Sequence, residues 1–105
     1  MITITQAAAR QIRRSADSGN MEELALRIAA SRNPDGSIGY QMGFDEITRD
    51  DVLVNARGVD VVLRNDDKEL LNGMTLDYVE LEPGDFQFIF LNPNDPSYQP
   101  PSESV

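Results

Sequence analysis

Two alternating runs of apolar residues, separated by a strong turn, constrain the fold of this chain more than any other feature. The alternating apolar positions are Leu24, Leu26, Ile28 and Ala30 in the first run, and Ile38, Tyr40, Met42 and Phe44 in the second. A period of two indicates strands with one buried face. The turn between them, 33–37, contains Pro34, which presets φ, and Gly36, which accepts a positive φ. The pattern therefore predicts a β-hairpin.

The stretch before this hairpin predicts a short strand and then the main helix. Residues 2–4 alternate in polarity, and the hydroxyl of Thr5 can cap a helix that we expect over about 6–17. We expect Gly19 to end the helix in the left-handed conformation. The narrow apolar face of this helix is formed by Ala8, Ile12 and Ala16.

The rest of the chain predicts a second hairpin, a short helix and two more strands. The hairpin strands are 52–54 and 59–63 around a turn at 55–58, the helix lies within 65–72, and the last strands, 75–81 and 86–91, are joined through 82–85 as a third hairpin. Phe86, Phe88 and Phe90 share one face of the last strand, so we predict that all three belong to the core.

The length and composition predict one domain with a modest core. The chain has 105 residues, of which 40% are hydrophobic. We predict an α+β domain over 1–94 with about seven strands. The segment 95–105 contains three prolines and few apolar residues, so we predict a disordered tail because it cannot offset its ordering entropy.

The charge balance is strongly acidic and disfavours nucleic acid as a partner. The formal net charge is −9, and phosphate contacts require clustered cations. The local exception is Arg10, Arg13 and Arg14, although Arg13 is also spaced for an ion pair with Asp17. No apolar run approaches the ~20 residues of a membrane span. No signal for secretion begins the sequence, so we expect a cytoplasmic protein.

The chain contains no Cys, no His and no Trp. This composition excludes disulfides, thiolate nucleophiles, imidazole bases, and zinc or haem sites with the usual ligands. The serines have no histidine to activate them, and the acid pairs lack the spacing of a calcium-binding loop. We therefore predict that the protein is not an enzyme, and we predict no metal site.

Several short strings resemble the A-type iron–sulfur carrier family (HesB-like, IscA/SufA-type). They are Ile4-Thr5 before Ala8-Ala9, Leu26-Arg27-Ile28, Tyr40 to Phe44, Gly58-Val59, Leu71-Asn72-Gly73, Leu76-Asp77-Tyr78-Val79, and Phe88 to Asn94 with its Asn-Pro-Asn end. Their order and spacing carry the resemblance over nearly the whole chain. It implies a HesB-like domain of two packed, mixed β-sheets, with hairpin-connected short strands and one main flanking helix.

The resemblance also shows what this chain lacks. The family carries one Cys in the loop after the Leu-Arg-Ile strand and a Cys-Gly-Cys near the C-terminus. Counting without gaps places Asp35, Gln99 and Pro101 at these three positions. Iron–sulfur clusters are held by thiolates, with imidazole as a supplement. The resemblance therefore implies that the cluster ligands are lost, and we predict no cofactor.

These observations favour a non-catalytic accessory or regulatory protein that acts through protein–protein contacts. The chain is similar to cysteine-free, DsrR-like variants of the family, which implies partners in sulfur oxidation or in iron–sulfur metabolism. The predicted interaction residues are Arg10, Arg13, Arg14, Asp35 and Tyr98. Two alternatives remain: a weak mononuclear iron carrier in cluster assembly that uses Asp35 and nearby carboxylates, and an RNA-contacting regulator that uses the arginines.

Overall fold

A computed structural model describes residues 2–96 of the chain. The elements are β1 (Thr3–Ile4), α1 (Gln6–Ser18), β2 (Ala25–Arg32), β3 (Ile38–Asp45), β4 (Asp51–Ala56), β5 (Val59–Arg64), a 3₁₀ turn (Asn65–Asp67), α2 (Lys68–Leu71), β6 (Thr75–Glu82) and β7 (Asp85–Leu91). The predicted α+β class, with one main helix and seven strands, is confirmed. No helix within residues 2–96 has the length and apolar character needed to cross a membrane.

The strands form two mixed sheets. The smaller sheet has the order β1-β6-β7, and the larger one has the order β3-β2-β5-β4. All three predicted hairpins pair in antiparallel fashion, whereas β1 pairs with β6, and β2 with β5, in parallel. The two parallel pairings connect segments far apart in the sequence. Each sheet is therefore held together by one long-range pairing between strands.

One hydrophobic core joins the two sheets. Its buried residues come from both sheets and from α1, which contributes Ala8, Ala9 and Ile12. Across the sheets, the rings of Tyr40 on β3 and Phe90 on β7 stack with centroids 4.4 Å apart. The buried strand residues of the core include Ile4, Leu26, Ile28, Ala30, Ile38, Val59, Val61, Leu63 and Leu76.

The start of α1 follows the prediction, and its end does not. The Thr5 hydroxyl accepts a hydrogen bond from the Ala8 N–H (3.2 Å) and donates to the Asp77 carboxylate on β6 (2.7 Å). The prediction of a left-handed Gly19 is wrong, because Gly19 has φ −97° and its N–H still bonds to the Ser15 carbonyl. Asn20 takes the left-handed conformation instead, with φ 56°, which Asn tolerates better than most residues.

The prediction that all three phenylalanines of β7 are core residues is wrong for Phe86. This side chain is 52% exposed, whereas Phe88 and Phe90 are half-buried and pack against the core. The turn end of the β6–β7 hairpin is exposed, since residues 80–84 and 86–87 all lie in solvent. Phe86 stacks there on Tyr78, with ring centroids 5.8 Å apart.

A two-residue turn between β4 and β5 anchors the hairpin to the rest of the domain. Arg57 and Gly58 both have positive φ, 51° and 79°, which suits the right-handed twist of hairpin strands. The Arg57 Nε–H donates to the Ile4 carbonyl (2.8 Å), and the Arg13 guanidinium donates to the Arg57 carbonyl (3.0 Å). The expected ion pair between Arg13 and Asp17 does not form, because Arg13 is directed to this turn.

Arg27 on β2 joins the end of β3 to the start of β4. Its guanidinium forms two hydrogen bonds with the Asp51 carboxylate (2.9 and 2.7 Å), and its Nε–H donates to Asp45 (2.7 Å). Hydrogen bonds from Arg27 hold the pKa of Asp51 well below its usual value, and they also lower the pKa of Asp45. The Asp51 side chain is only 4% exposed, so this pair has little competition from water.

A second buried carboxylate, that of Asp67, lies near the C-terminal end of β2. Asp67 is 3% exposed, accepts a hydrogen bond from the Ala30 N–H of β2 (3.3 Å), and is paired with Arg64 (3.1 Å). The β2–β5 ladder itself ends at Arg27 and Val62, so Asp67 provides an acceptor for a β2 amide beyond the ladder.

Leu76 lies fully buried in the core, and Leu81 lies on the same strand with 53% exposure. We expect Leu76→Ala to lower the free energy of unfolding by about 3 kcal/mol, because it leaves a cavity. Leu81→Ala should change it by less than about 0.5 kcal/mol. Urea unfolding followed by circular dichroism measures both. Equal losses in the two variants would contradict the described position of the core.

The Arg27 network predicts acid sensitivity with a definite sign. The folded state lowers the pKa of Asp51 from 3.8, so the network stabilises the protein above that pH and is lost as the pH falls through the folded-state value. Asp51→Asn should reduce stability at pH ~7 and flatten its decline below pH ~4. Urea unfolding at several pH values measures this effect. Asp50→Asn, next to the network but outside it, should keep the decline of the parent chain.

Candidate functional site

The loop between β2 and β3 carries the position where the family resemblance expects a cysteine. It is a tight turn in which the Gly36 N–H donates to the Asn33 carbonyl (2.9 Å), and the Asn33 N–H donates to the Ser37 carbonyl (2.7 Å). Pro34 occupies the second position of this turn, and Gly36 has φ 91°. The predicted turn chemistry is confirmed, and the loop holds Asp35 at its tip.

The carboxylate of Asp35 is exposed but already committed to the loop. Its Oδ1 accepts hydrogen bonds from the Ser37 N–H (3.0 Å) and from the Ser37 hydroxyl (2.6 Å). These two bonds lower the pKa of Asp35, so the group is ionised at neutral pH. Asp35 therefore acts as a turn-forming acceptor, and its oxygens are hard donors in place of a soft thiolate.

The segment after β7 comes back to this loop. A Cβ atom placed on Gly36 would lie 3.9 Å from Pro96 Cγ, which is van der Waals contact. The fold thus brings the Asp35 loop and the beginning of the C-terminal tail together. The other predicted positions, Tyr98, Gln99 and Pro101, lie outside the described residues, as does most of the predicted tail.

Two asparagines that the sequence analysis assigned no role determine where this segment leaves the fold. Asn92 is 1% exposed, and its amide donates to the Leu70 carbonyl at the end of α2 (2.7 Å). Its Oδ1 accepts from the Asn94 N–H (2.9 Å), and the Asn94 amide donates to the Asn72 carbonyl (2.8 Å). The Asn-Pro-Asn string was the available signal, and the structure shows that it caps α2.

Tyr40 follows the Asp35 loop on β3, and its hydroxyl lies near Asn92. Its hydroxyl oxygen is buried and has no hydrogen-bond partner of good geometry within residues 2–96. The Asn92 side chain is near, but its own amide and carbonyl are committed to Leu70 and Asn94. Burial raises the pKa of the Tyr40 phenol, and the Asn92 side chain acts in the opposite direction. The ring therefore serves as a packing surface.

The arginines predicted as an interaction strip lie elsewhere. All three are on α1, which packs on β5 and β6. Arg10 and Arg14 are exposed and form no ion pair or side-chain hydrogen bond among the described residues. Arg13 supports the β4–β5 turn instead. The strip thus provides two available cations on a different element from Asp35.

The residues present do not fit an iron–sulfur cluster. The chain offers neither thiolate nor imidazole, and Asp35 supplies a hard oxygen that is bonded to Ser37. A carboxylate metal centre is not assembled either, because no three acidic side chains within residues 2–96 converge on a common point.

Comparison with known proteins gives one consistent family. The family described as "Iron-sulphur cluster biosynthesis" matches residues 1–97. An Azotobacter vinelandii protein, "Uncharacterized protein in nifU 5'region", is 32% identical over 95 residues, which cover 90% of this chain and 88% of that protein. The "Iron-sulfur cluster insertion protein ErpA" of Pseudomonas fluorescens is 31% identical over 96 residues, covering 89% of this chain and 80% of that protein.

Two solved structures share the fold. The crystal structure of "IscA with the [2Fe-2S] cluster" superimposes with a TM-score of 0.74 at 28% identity, covering 89% of this chain and 86% of that one. The crystal structure of Escherichia coli SufA gives a TM-score of 0.77 at 24% identity, covering 98% and 90%. The order of strands, the Asn-Pro-Asn cap and the sequence match lead to one assignment: the chain belongs to the iron–sulphur cluster biosynthesis family.

Proposed function

We propose that this chain is a non-catalytic accessory or regulatory member of its family, which contacts protein partners and does not carry a cluster. The observation that carries the proposal is Asp35, which stands where the family resemblance expects a thiolate and is held by Ser37. The positions aligned with the other two ligands hold Gln99 and Pro101, so none of the three provides sulfur.

Ligand chemistry supports the loss of cluster carriage. The related IscA structure is described as holding a [2Fe-2S] cluster. Such a cluster is bound through thiolates, with histidine replacing them in some centres. A chain of 105 residues without Cys or His cannot supply these ligands, even when several copies assemble.

The preserved framework supports a role in protein contacts. The chain shares its fold with the two related crystal structures, at TM-scores of 0.74 and 0.77, although the ligands are replaced. A fold that lacks the cluster ligands still presents a surface through which protein partners could bind. The resemblance to cysteine-free, DsrR-like variants supports a setting in sulfur oxidation or iron–sulfur metabolism, which we expect to be cytoplasmic.

The two alternatives remain distinguishable. Mononuclear iron binding through Asp35 would require further ligands, and no group of three acids converges within residues 2–96. RNA contact would depend on Arg10 and Arg14, which lie on a chain of net charge −9. Loss of Fe(II) binding in Asp35→Ala would favour the first alternative. Salt-sensitive RNA binding abolished by charge reversal at Arg10 and Arg14 would favour the second.

Reconstitution tests the proposal directly. The native chain is incubated with ferrous iron, sulfide and thiol and then desalted. We expect it to retain neither iron nor sulfide in stoichiometric amounts, because it lacks soft ligands. Iron analysis, acid-labile sulfide and visible absorption measure the result. Stoichiometric iron and sulfide in the native chain would contradict the proposal.

The chain offers a matched control for this experiment. In the triple variant Asp35→Cys, Gln99→Cys, Pro101→Cys, thiolates return to the positions aligned with the family ligands. We expect this variant to gain labile sulfide and visible absorption under the same conditions. A pull-down from native extract with the unaltered chain then identifies the protein partner that the proposal requires.

A further inference from the structure

We propose that the outer edge of β3 is a strand-addition site for an extended, basic segment of a protein partner. The inference rests on the proposed interaction role and names the surface and the chemistry of the partner. In strand addition, an extended peptide bonds to the free edge of a sheet through main-chain groups, and alternate side chains provide specificity.

The register identifies the backbone groups that face outward. Arg32 pairs with Ile38, and one step further the Asn33 N–H donates to the Ser37 carbonyl (2.7 Å). Bonded and non-bonded pairs alternate along an antiparallel ladder. The odd residues of β3 therefore bond to β2. The outward N–H and C=O groups belong to Ile38, Tyr40, Met42 and Phe44.

Within residues 2–96, β3 lacks the devices that usually protect an edge strand. It runs for eight residues without a register shift, and it contains no Lys, Arg or Pro. The other edges are less suitable. β1 has two residues, and β7 pairs with β6 through a register shift near Glu80. β4 has six residues, and the Asp51 N–H at its start already donates to Thr48 (3.2 Å).

The two faces beside this edge suit an incoming strand of alternating polarity. Tyr40, Met42 and Phe44 are half-buried against the core, so apolar side chains of the added strand would complete their burial. On the opposite face, a Cβ atom at Gly43 would meet nothing within 4 Å. A groove of about 250 Å³ on that face is lined by Arg27, Ala29, Gln41, Gly43 and Asp45, which leaves room for a larger side chain of the added strand.

Acidic groups at both ends of β3 specify a basic partner. Asp35 is exposed just before the strand and Glu46 is exposed just after it, and neither forms an ion pair among the described residues, whereas the Asp45 carboxylate is paired with Arg27. Eight residues of strand span about 26 Å, so cations near both ends of a short peptide would face these acids. The net charge of −9 favours the same encounter at longer range.

Amide hydrogen exchange on the full-length chain tests the site. The probe is the peptide Lys-Val-Thr-Val-Thr-Val-Lys, and the comparison peptide has Glu at both ends. We expect the basic peptide to slow exchange at Tyr40 and Met42 by at least about tenfold, with little change at Gly39 and Gln41, which already bond within the sheet. The acidic peptide should have no effect, and added salt should weaken the basic one.

Two substitutions at Met42 separate backbone pairing from side-chain contact. Met42→Pro removes an outward N–H and no bond to β2, as edge strands permit, whereas Met42→Ala retains the N–H and shortens the same side chain. We expect Met42→Ala to bind the basic peptide and Met42→Pro to lose it, with circular dichroism showing that both fold. If Met42→Pro fails to fold, the exchange pattern of the unaltered chain decides alone.

Three outcomes would overturn the proposal. The first is exchange in the unaltered chain that the basic peptide leaves unchanged, and the second is equal binding of the acidic peptide. The third is self-association through β3 in analytical ultracentrifugation that the peptide does not displace, which would make a second copy the occupant. None of these affects the proposed loss of cluster carriage, which stoichiometric iron and sulfide would overturn without changing the exchange result.

Discussion

Burial of a shared set of apolar side chains is the interaction on which this structure depends. The two sheets are separate hydrogen-bonded units among the described residues, so side chains alone hold their faces together. Ile4 and Leu76 enter the core from one sheet, Ile28 and Val61 from the other, and α1 covers the junction. In a chain of 105 residues this core accounts for much of the stability, because small proteins bury a limited fraction of their surface.

Polar side chains complete the places where elements meet. Arg57 and Asn92 donate to backbone carbonyls of Ile4 and Leu70, Asp67 accepts from a backbone amide, and Arg27 joins two strand ends through carboxylates. Arg57, Asn92 and Asp67 bond to backbone groups that have no partner in the regular hydrogen-bond pattern, and Arg27 pairs with carboxylates. Buried polar groups require such partners. Asp35 has a comparable structural role at the surface, since its carboxylate accepts two hydrogen bonds from Ser37 in the turn on which β3 begins.

The sequence predicted the local structure well and the long-range structure poorly. Alternation and turn residues identified the three hairpins, and Thr5 identified the start of α1, because both depend on neighbouring residues. The parallel β2–β5 pairing depends on segments more than thirty positions apart, and no local period reports it. The exposure of Phe86 follows from where the core ends, which a period of two cannot show.

The candidate site shows the same contrast between local features, which the sequence predicts, and long-range features, which it does not. Family spacing located Asp35, and the Asp-Gly-Ser string could have indicated that its carboxylate bonds to Ser37, since Asp commonly accepts from the backbone two residues on. The convergence of Pro96 on Gly36 could not be predicted, because it depends on the tertiary path of β7. The assignment of outward amides on β3 likewise required the observed register.

The asparagine cap at the end of β7 has a further consequence for molecules that reach the Asp35 loop. Asn92 and Asn94 fix the point at which the chain leaves β7, and Pro96 lies close to Gly36 of the loop. Two groups held close together on one fold meet at an effective concentration on the order of millimolar. A molecule captured at the loop therefore meets Asp95 and Pro96 as neighbours on the same fold, and even a weak affinity for this segment contributes to its retention.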